Sequence, residues 1–166
     1  MEKKLNITYI LLGGNIGNVA KAFREATDLL SLNVGRISNQ SKLYKSDAWG
    51  FESSDQFINQ VLEIETELSS HQLLNETQEI EQQLGRVRNP NQEGFESRII
   101  DVDILYFNSE IINSPELTIP HYAMHQRKFT LLPLSEIAPQ FTHPIFNKNS
   151  ISLLDTCEDN STVTPI

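Results

Sequence analysis

The segment SRIIDVDILYF, residues 97–107, has the length and apolar content of a buried β-strand, yet it contains two aspartates. Burying a charged side chain costs free energy unless the charge is paired or bound to a ligand. Side chains two residues apart point to the same face of a strand, so Asp101 and Asp103 should lie about 6 to 7 Å apart along one face. The sequence therefore predicts a buried strand whose two carboxylates can reach one site.

Three strand-like segments and a first helix come before this run. Residues 5–15 are rich in Ile, Leu and Tyr and carry Gly13 and Gly14 near their end, which predicts a largely buried first strand. Apolar residues then recur at helical spacing from Val19, with Asn18 as the predicted N-cap. Residues 34–46 and 57–67 mix β-branched or aromatic residues with polar ones and favour extended structure.

A second helix is predicted between the extended segments and the aspartate strand. It should begin at Ser69 or Ser70 and stop at Gly85. The element order becomes βαββαβ, which favours an α+β fold with a ferredoxin-like antiparallel sheet and both helices packed on one of its faces. Such a fold assignment says nothing by itself about function.

The residues after 112 predict a loop and one or two short helices. We expect one domain over residues 1–166, because a chain of this length can close one core and is too short for two. Its core should span about 4–145, followed by a peripheral tail over 146–166. His125 and His143 are expected at the surface.

The net charge of −9 and the sequence pI near 4.8 argue against a nucleic-acid partner, because that role needs a basic surface. An anionic ligand would have to be held locally. The single cysteine, Cys157, cannot form an internal disulfide, and no apolar stretch approaches the length of a membrane span or a signal peptide. We expect a cytoplasmic monomer without nucleic-acid or membrane partners.

Two close carboxylates would repel one another unless a positive charge lay between them. Their oxygen ligands, without a neighbouring His or Cys ligand, favour Mg²⁺ over zinc, with substrate phosphates completing the octahedron. The alternative is that both aspartates lie on a solvated edge or pair with arginines.

Arginines and a third cluster favour phosphate binding. Between residues 46 and 126 the chain has no lysine, and its positive charges are Arg86, Arg88 and Arg98. The guanidinium fork binds phosphate oxygens in pairs, although these arginines could also simply neutralise nearby acids. The segment PHYAMHQRKF, residues 120–129, adds a ring, a phenol and a guanidinium suited to a nucleotide. The chain lacks a P-loop motif, which excludes that source of phosphate binding.

These segments together resemble the 6-hydroxymethyl-7,8-dihydropterin pyrophosphokinase family over nearly the whole chain to about residue 145. The signatures, in the family's order, are LLGGNIGN, FINQVLEIET, LLNETQEIEQQLGRVR, SRIIDVDILYF and LTIPHYAMHQRKFTLLPL. The chain departs from the family at EGFESR, where the family often has Trp-Gly-Pro-Arg, and Phe95 is the expected replacement for that tryptophan.

The resemblance implies roles for particular residues. The predicted metal ligands, for two Mg²⁺ ions, are Asp101 and Asp103. The predicted catalytic set is those two aspartates with Arg86 and Arg98. The predicted ATP contacts are Gln78, Arg86, Arg88, Arg98, His121, Tyr122 and Arg127. The predicted pterin contacts are Ser46, Asp47, Trp49, Phe57, Asn59 and Phe129, in which an amide lies between two aromatic faces.

The resemblance also implies the reaction. A pterin hydroxyl would attack the β-phosphorus of ATP in line, AMP would leave, and the protein would chiefly position the groups and neutralise charge. Two other classes stay open from the residues alone. One is a metal-dependent phosphodiesterase or nuclease, and the other is a ferredoxin-like regulatory module in which the aspartates serve only in salt bridges.

Overall fold

A computed structural model describes residues 4–15, 17–47, 56–85 and 99–166. The predicted site residues Trp49, Arg86, Arg88 and Arg98, and also Phe95, lie outside the described residues. The elements are, in chain order, β1 (Asn6–Gly14), α1 (Val19–Asn33), β2 (Gly35–Gln40), β3 (Tyr44–Ser46), β4 (Phe57–Thr66), α2 (Ser70–Gln83), β5 (Asp101–Phe107), β6 (Ile112–Asn113), β7 (Thr118–Ile119), a 3-10 helix (Met124–Gln126), α3 (Lys128–Ile137), α4 (Ser150–Asp155) and β8 (Val163–Pro165).

The main sheet is antiparallel, with its strands in the order β5-β1-β4-β3-β8 and with β2 also paired to β4. Helices α1 and α2 pack on one face through a core that includes Phe23, Leu30, Leu73 and Ile80. The 3-10 helix and α3 cover part of the opposite face. The predicted α+β class, an antiparallel sheet with helices packed on it, is confirmed. No helix within the described ranges is long and apolar enough to cross a membrane.

Local signals in the sequence fix both early helices. The Asn18 side chain accepts a hydrogen bond from the Lys21 N–H at 3.1 Å, as its predicted N-cap role requires. Ser69 and Gln72 form a reciprocal capping box at the start of α2. Gly85 follows α2 with a φ of 92°, the left-handed conformation that glycine adopts without steric cost. The predicted starts and the second stop are confirmed.

The extended segment predicted over 34–46 is divided into β2 and β3. Both strands pair with β4, but Ser41 lies between them. Its hydroxyl accepts a hydrogen bond from the Val61 N–H at 3.0 Å, and its own N–H donates to the Val61 carbonyl at 2.9 Å. A side-chain oxygen thus replaces a backbone carbonyl in the ladder, so one predicted segment becomes two strands.

The two faces of the sheet differ in what they carry. Ile10 and Leu12 of β1 belong to the core beneath α1 and α2, whereas Tyr9 and Leu11 belong to the core on the α3 face. The pairing of β5 with β1 shifts by one residue between Tyr9 and Ile10, which is a β-bulge. This shift lies beyond the two aspartates. Side chains from Asp101 to Ile104 therefore alternate strictly between the two faces, and both carboxylates lie on the α3 face.

The last 20 residues make more contacts than the sequence pattern predicted. Helix α4 packs against α3, and β8 pairs with β3 through Val163 opposite Ser46. The Ile166 N–H donates to the Leu43 carbonyl at 2.9 Å. The segment expected to be a peripheral tail thus extends the main sheet.

His143 is buried, which makes the expectation of a surface position wrong. Its side chain is 2% exposed, and its Nδ1 accepts hydrogen bonds from the N–H groups of Ile145 and Phe146 at 3.2 and 3.3 Å. The Phe146 ring stacks on it with 4.5 Å between centroids. Burial, reinforced by the nearby His125, lowers the pKa of His143 to about 4.

The buried His143 should make stability depend on pH. Because its folded pKa lies below the ordinary value, the unfolded chain binds more protons between about pH 6.5 and pH 4. The contribution of His143 to the free energy of unfolding should be complete above about pH 6.5 and lost as the pH falls toward 4. Proton NMR should show its ring titrating near pH 4. His143→Asn, which keeps an acceptor but does not titrate, should flatten part of the slope in urea unfolding; an unchanged slope would contradict this account.

Candidate active site

A cavity of about 450 Å³ opens beside the aspartate strand. One wall is the α3 face of the sheet, with residues from β1, β3, β4 and β5. The cavity continues past the outer edge of β5 to the side chains of α2 and to the segment of residues 115–118. A single space therefore adjoins the sheet, two helices and a hairpin, which is a common setting for a ligand site.

The predicted site residues meet in this cavity. Those that the structure describes all line it: Ser46, Asp47, Phe57, Asn59, Gln78, Asp101, Asp103, His121, Tyr122, Arg127 and Phe129. They come from five elements and from the loops beside them. The first and last of these residues, Ser46 and Phe129, are 83 positions apart in the sequence. The structure thus brings these predicted residues together in one place, while the role of each residue stays a prediction.

The two aspartates point into the cavity from β5. Asp101 lies opposite Gly13 and Asp103 opposite Leu11 in the β1 ladder, and cross-strand partners share a face. Both side chains are half-buried, and the Asp103 side chain is 29% exposed. The prediction that both carboxylates serve one face is confirmed by this register.

His121 approaches the aspartates in a defined tautomer. Its Nδ1 accepts a hydrogen bond from the Ala123 N–H at 3.2 Å, so the proton of the neutral ring belongs on Nε2. That nitrogen lies 4.0 Å from Asp103 Oδ2. Burial and the charge of Arg127 lower the pKa of His121 to about 4, and the opposing effect of Asp101 is smaller. At neutral pH the ring is therefore an uncharged N–H donor.

Arg127 is a buried cation beside the same carboxylates. Its side chain is 5% exposed, and its guanidinium carbon lies 5.5 Å from the centre of the Phe129 ring. Burial lowers the pKa of Arg127, and the charges of Asp103 and Asp101 act in the opposite direction. A guanidinium stays charged in proteins, so Arg127 contributes a fixed positive charge to this wall.

Asn59 presents an amide to the opposite part of the cavity. The residue is 4% exposed, and its Nδ2 donates to the Leu12 carbonyl at 3.4 Å. Its Oδ1, like the Ser46 hydroxyl, is buried with no hydrogen-bond partner among the described residues. Buried polar atoms are rarely left unsatisfied, so both are suited to a ligand that offers hydrogen bonds.

Two contributors to the cavity were missed by sequence reasoning. Glu81 is 4% exposed on α2, and its Oε2 accepts a hydrogen bond from the N–H of Val102, the residue between the two aspartates. A carboxylate on the otherwise apolar face of α2 was the signal that could have revealed it. Gly13 lies opposite Asn59, and a Cβ there would be 2.8 Å from Asn59 Nδ2, which only the structure reveals.

The fold and the cavity define an α+β protein whose donor set, paired carboxylates with a buried guanidinium, suits a polyanion held through cations. The family model for 7,8-dihydro-6-hydroxymethylpterin-pyrophosphokinase (HPPK) matches residues 9–139. The chain belongs to this family.

Curated relatives are similar over most of their length. The 2-amino-4-hydroxy-6-hydroxymethyldihydropteridine pyrophosphokinase of Porphyromonas gingivalis is 40% identical over 139 residues, which cover 83% of this chain and 94% of the relative. The protein of the same name from Bacillus subtilis is 41% identical over 136 residues, covering 81% and 80% of the two chains.

Solved structures share the fold at low identity. An HPPK-DHPS in complex with substrates superposes with a TM-score of 0.71 at 16% identity over 92% of this chain. Wild-type HPPK-DHPS of Plasmodium falciparum gives a TM-score of 0.72 at 18% identity over 93% of this chain. This chain spans 43% and 45% of those two longer chains.

The contact between Gly13 and Asn59 predicts a coupled pair of substitutions. Gly13→Ala should lower the free energy of unfolding by about 1 to 3 kcal/mol, because the new methyl group displaces the Asn59 amide. In the Asn59→Ala background the same change should cost less, so a double-mutant cycle in urea should give a clear coupling energy. Gly17→Ala, where no atom lies within 4 Å of the added Cβ, should cost the same in both backgrounds. Equal costs for Gly13→Ala would contradict the contact.

Proposed function

We propose that this protein transfers a pyrophosphoryl group from ATP to 6-hydroxymethyl-7,8-dihydropterin, giving AMP and the pterin diphosphate, a step of folate biosynthesis. The observation that carries the proposal is that every described residue of the predicted ATP and pterin sets lines one cavity. Membership of the pyrophosphokinase family supports the reaction type.

Mg²⁺ fits the residues of the site. Asp101 and Asp103 offer hard carboxylate oxygens on one face of β5. Within the described ranges, no larger group of three or more His, Cys, Asp and Glu side chains is placed to hold a metal. Two carboxylates with substrate phosphates are a typical Mg²⁺ environment, so ATP oxygens would complete the coordination. When bound, Mg²⁺ supplies charge neutralisation at the phosphates and orients the attacking hydroxyl.

The pterin end of the cavity is assigned to Asn59, Ser46 and the two aromatic residues. A flat heterocycle with hydrogen-bonding edges needs apolar faces above and below and polar atoms at its rim. Phe57 and Phe129 supply the faces, and the buried Oδ1 of Asn59 accepts a hydrogen bond from the ring's edge. The Ser46 hydroxyl adds a second polar contact from β3.

The phosphate end is assigned to Asp101, Asp103, His121 and Arg127. Arg127 brings a fixed charge to a developing anion, and the uncharged His121 donates a hydrogen bond from its Nε2–H without adding a net charge. Both side chains are preorganised by burial, so little reorganisation accompanies the transfer. Arg86, Arg88 and Arg98, outside the described residues, are proposed to complete the phosphate contacts.

The finer fold assignment is also a proposal. Strands β5, β1, β4 and β2 follow one another in the order expected of a ferredoxin-like βαββαβ core, with α1 and α2 on the same face. We propose that β3, the hairpin β6–β7 and the residues after Pro120 elaborate this core. We further propose that the protein acts as a cytoplasmic monomer.

Nucleotide products separate this function from the other classes. Purified protein should release AMP from ATP only when both Mg²⁺ and the pterin alcohol are present, and pterin diphosphate should appear in equal amount by mass spectrometry. Hydrolysis of a phosphodiester without the pterin would instead indicate a phosphodiesterase. Binding without any product would indicate a regulatory module.

Replacing either aspartate should remove turnover but not the fold. Asp101→Asn and Asp103→Asn should each lower kcat by about three orders of magnitude or more, because a metal ligand and its charge are lost together. Circular dichroism should be unchanged, because neither residue belongs to the apolar core. Glu110→Gln, the same chemical change at an exposed turn, is the control and should keep normal turnover. Near-normal rates in both aspartate variants would remove the metal role.

Asn59→Ala should separate the two substrates. Loss of the amide should weaken binding of the pterin alcohol by about tenfold to a hundredfold, because a desolvated hydrogen bond to the ligand is lost. Calorimetry with a non-hydrolysable ATP analogue and Mg²⁺ should give a nucleotide affinity within about twofold of the unmodified chain. Asn39→Ala, at an exposed position of β2, is the matched control. A parallel loss of both affinities would count against the pterin assignment.

A further inference from the structure

Helix α3 begins inside the candidate active site. Its N-cap residue is Arg127 and its second residue is Phe129, and both side chains line the cavity. A guanidinium has no hydrogen-bond acceptor, so Arg127 cannot cap the N–H groups of the first turn as Ser, Asp or Asn would. The helix start that carries two site residues therefore needs an acceptor from elsewhere in the chain.

Asp159 supplies this acceptor from the C-terminal segment. Its Oδ2 accepts a hydrogen bond from the Lys128 N–H at 2.9 Å, across 31 residues of sequence, and its Oδ1 accepts one from the Ser161 N–H at 2.9 Å. A negative charge at a helix N-terminus also interacts favourably with the helix dipole. Burial alone would raise the pKa of Asp159, but the Ser161 side chain, the two backbone N–H donors and the charge of Lys128 together hold the pKa below its ordinary value.

The structure fixes Asp159 from both sides along the chain. Before it, α4 packs against α3, with Leu153 buried and the Ser150 hydroxyl donating to the Ala138 carbonyl at 2.7 Å. After it, β8 pairs with β3, where Val163 lies opposite Ser46. The segment around Asp159 thus joins the wall of the cavity formed by α3 to the wall formed by β3.

From this geometry we propose that Asp159 is a positioning residue for substrate binding, one that fixes the backbone between Arg127 and Phe129 and so the direction in which both side chains enter the cavity. The inference rests on the proposed function for the identity of the ligands. It assigns a task in the site to a residue that lines no part of the cavity. A purely structural cap would stabilise α3 without affecting ligand affinity, so the two possibilities make different predictions.

Three variants of the 166-residue chain test the inference. Asp159→Ala removes the acceptor, Asp159→Asn removes the charge but keeps an oxygen acceptor, and Glu158→Ala removes an exposed charge one residue away. Hydrogen exchange of the Lys128 amide, followed by NMR, reports the cap directly. It should become faster in Asp159→Ala, stay close to the unmodified rate in Asp159→Asn, and not change in Glu158→Ala. Unchanged exchange in Asp159→Ala would overturn the inference.

Ligand affinity then separates positioning from stability. Dissociation constants for the pterin alcohol and for a non-hydrolysable ATP analogue with Mg²⁺ should both rise by about tenfold in Asp159→Ala, a factor within the range of a lost cap. Asp159→Asn should recover most of this loss, and Glu158→Ala should bind normally. Faster exchange with unchanged affinities would mean a structural cap only and would overturn the inference. An unmodified chain that binds neither ligand would instead overturn the proposed function, before any variant is compared, and the inference with it.

Discussion

The antiparallel pairing of β5 with β1 is the interaction on which the site depends. It places Asp101 opposite Gly13 and Asp103 opposite Leu11, so both carboxylates face away from the dry core under α1 and α2. A slip of one residue would turn them into that core and expose Val102 and Ile104. The apolar side chains on the other face of β5 therefore hold the carboxylates in place. The same register buries Val102 and Ile104 in the core and directs Asp101 and Asp103 into the cavity.

Features that depend on neighbouring residues could be predicted from the sequence. The caps at Asn18 and Ser69, the stop at Gly85 and the single face shared by the two aspartates all follow from rules that act within a few residues. The resemblance to a family added the distant members of the site. Predicting one site from these distant residues needed the local rules together with the resemblance, since spacing alone gives no reason to place Asn59 in the same site as Asp101.

Features that depend on distant residues could not be predicted. The interruption at Ser41 arises from a hydroxyl that bonds to β4, and the ring of His143 packs edge-on against the distant Tyr106, with 5.6 Å between the ring centroids. The tail showed only a weak pattern because β8 is three residues long and its role comes from pairing with β3. The cap from Asp159 spans 31 residues, and no local signal marks an acceptor that serves a distant helix.

The charges around the cavity set a condition on how an acidic chain could bind the polyphosphate of the proposed function. Acidic residues that the structure describes around the cavity are Asp47, Glu81, Asp101, Asp103 and Glu116, and Arg127 is the fixed cation among the described lining residues. His121 adds no charge at neutral pH because its pKa is about 4. Such a lining repels a bare triphosphate, and the net charge of −9 offers no long-range attraction. Under the proposed function, divalent cations held by the aspartates would reverse the local sign of charge, so nucleotide and metal would bind together and the same carboxylates would repel an uncomplexed nucleotide.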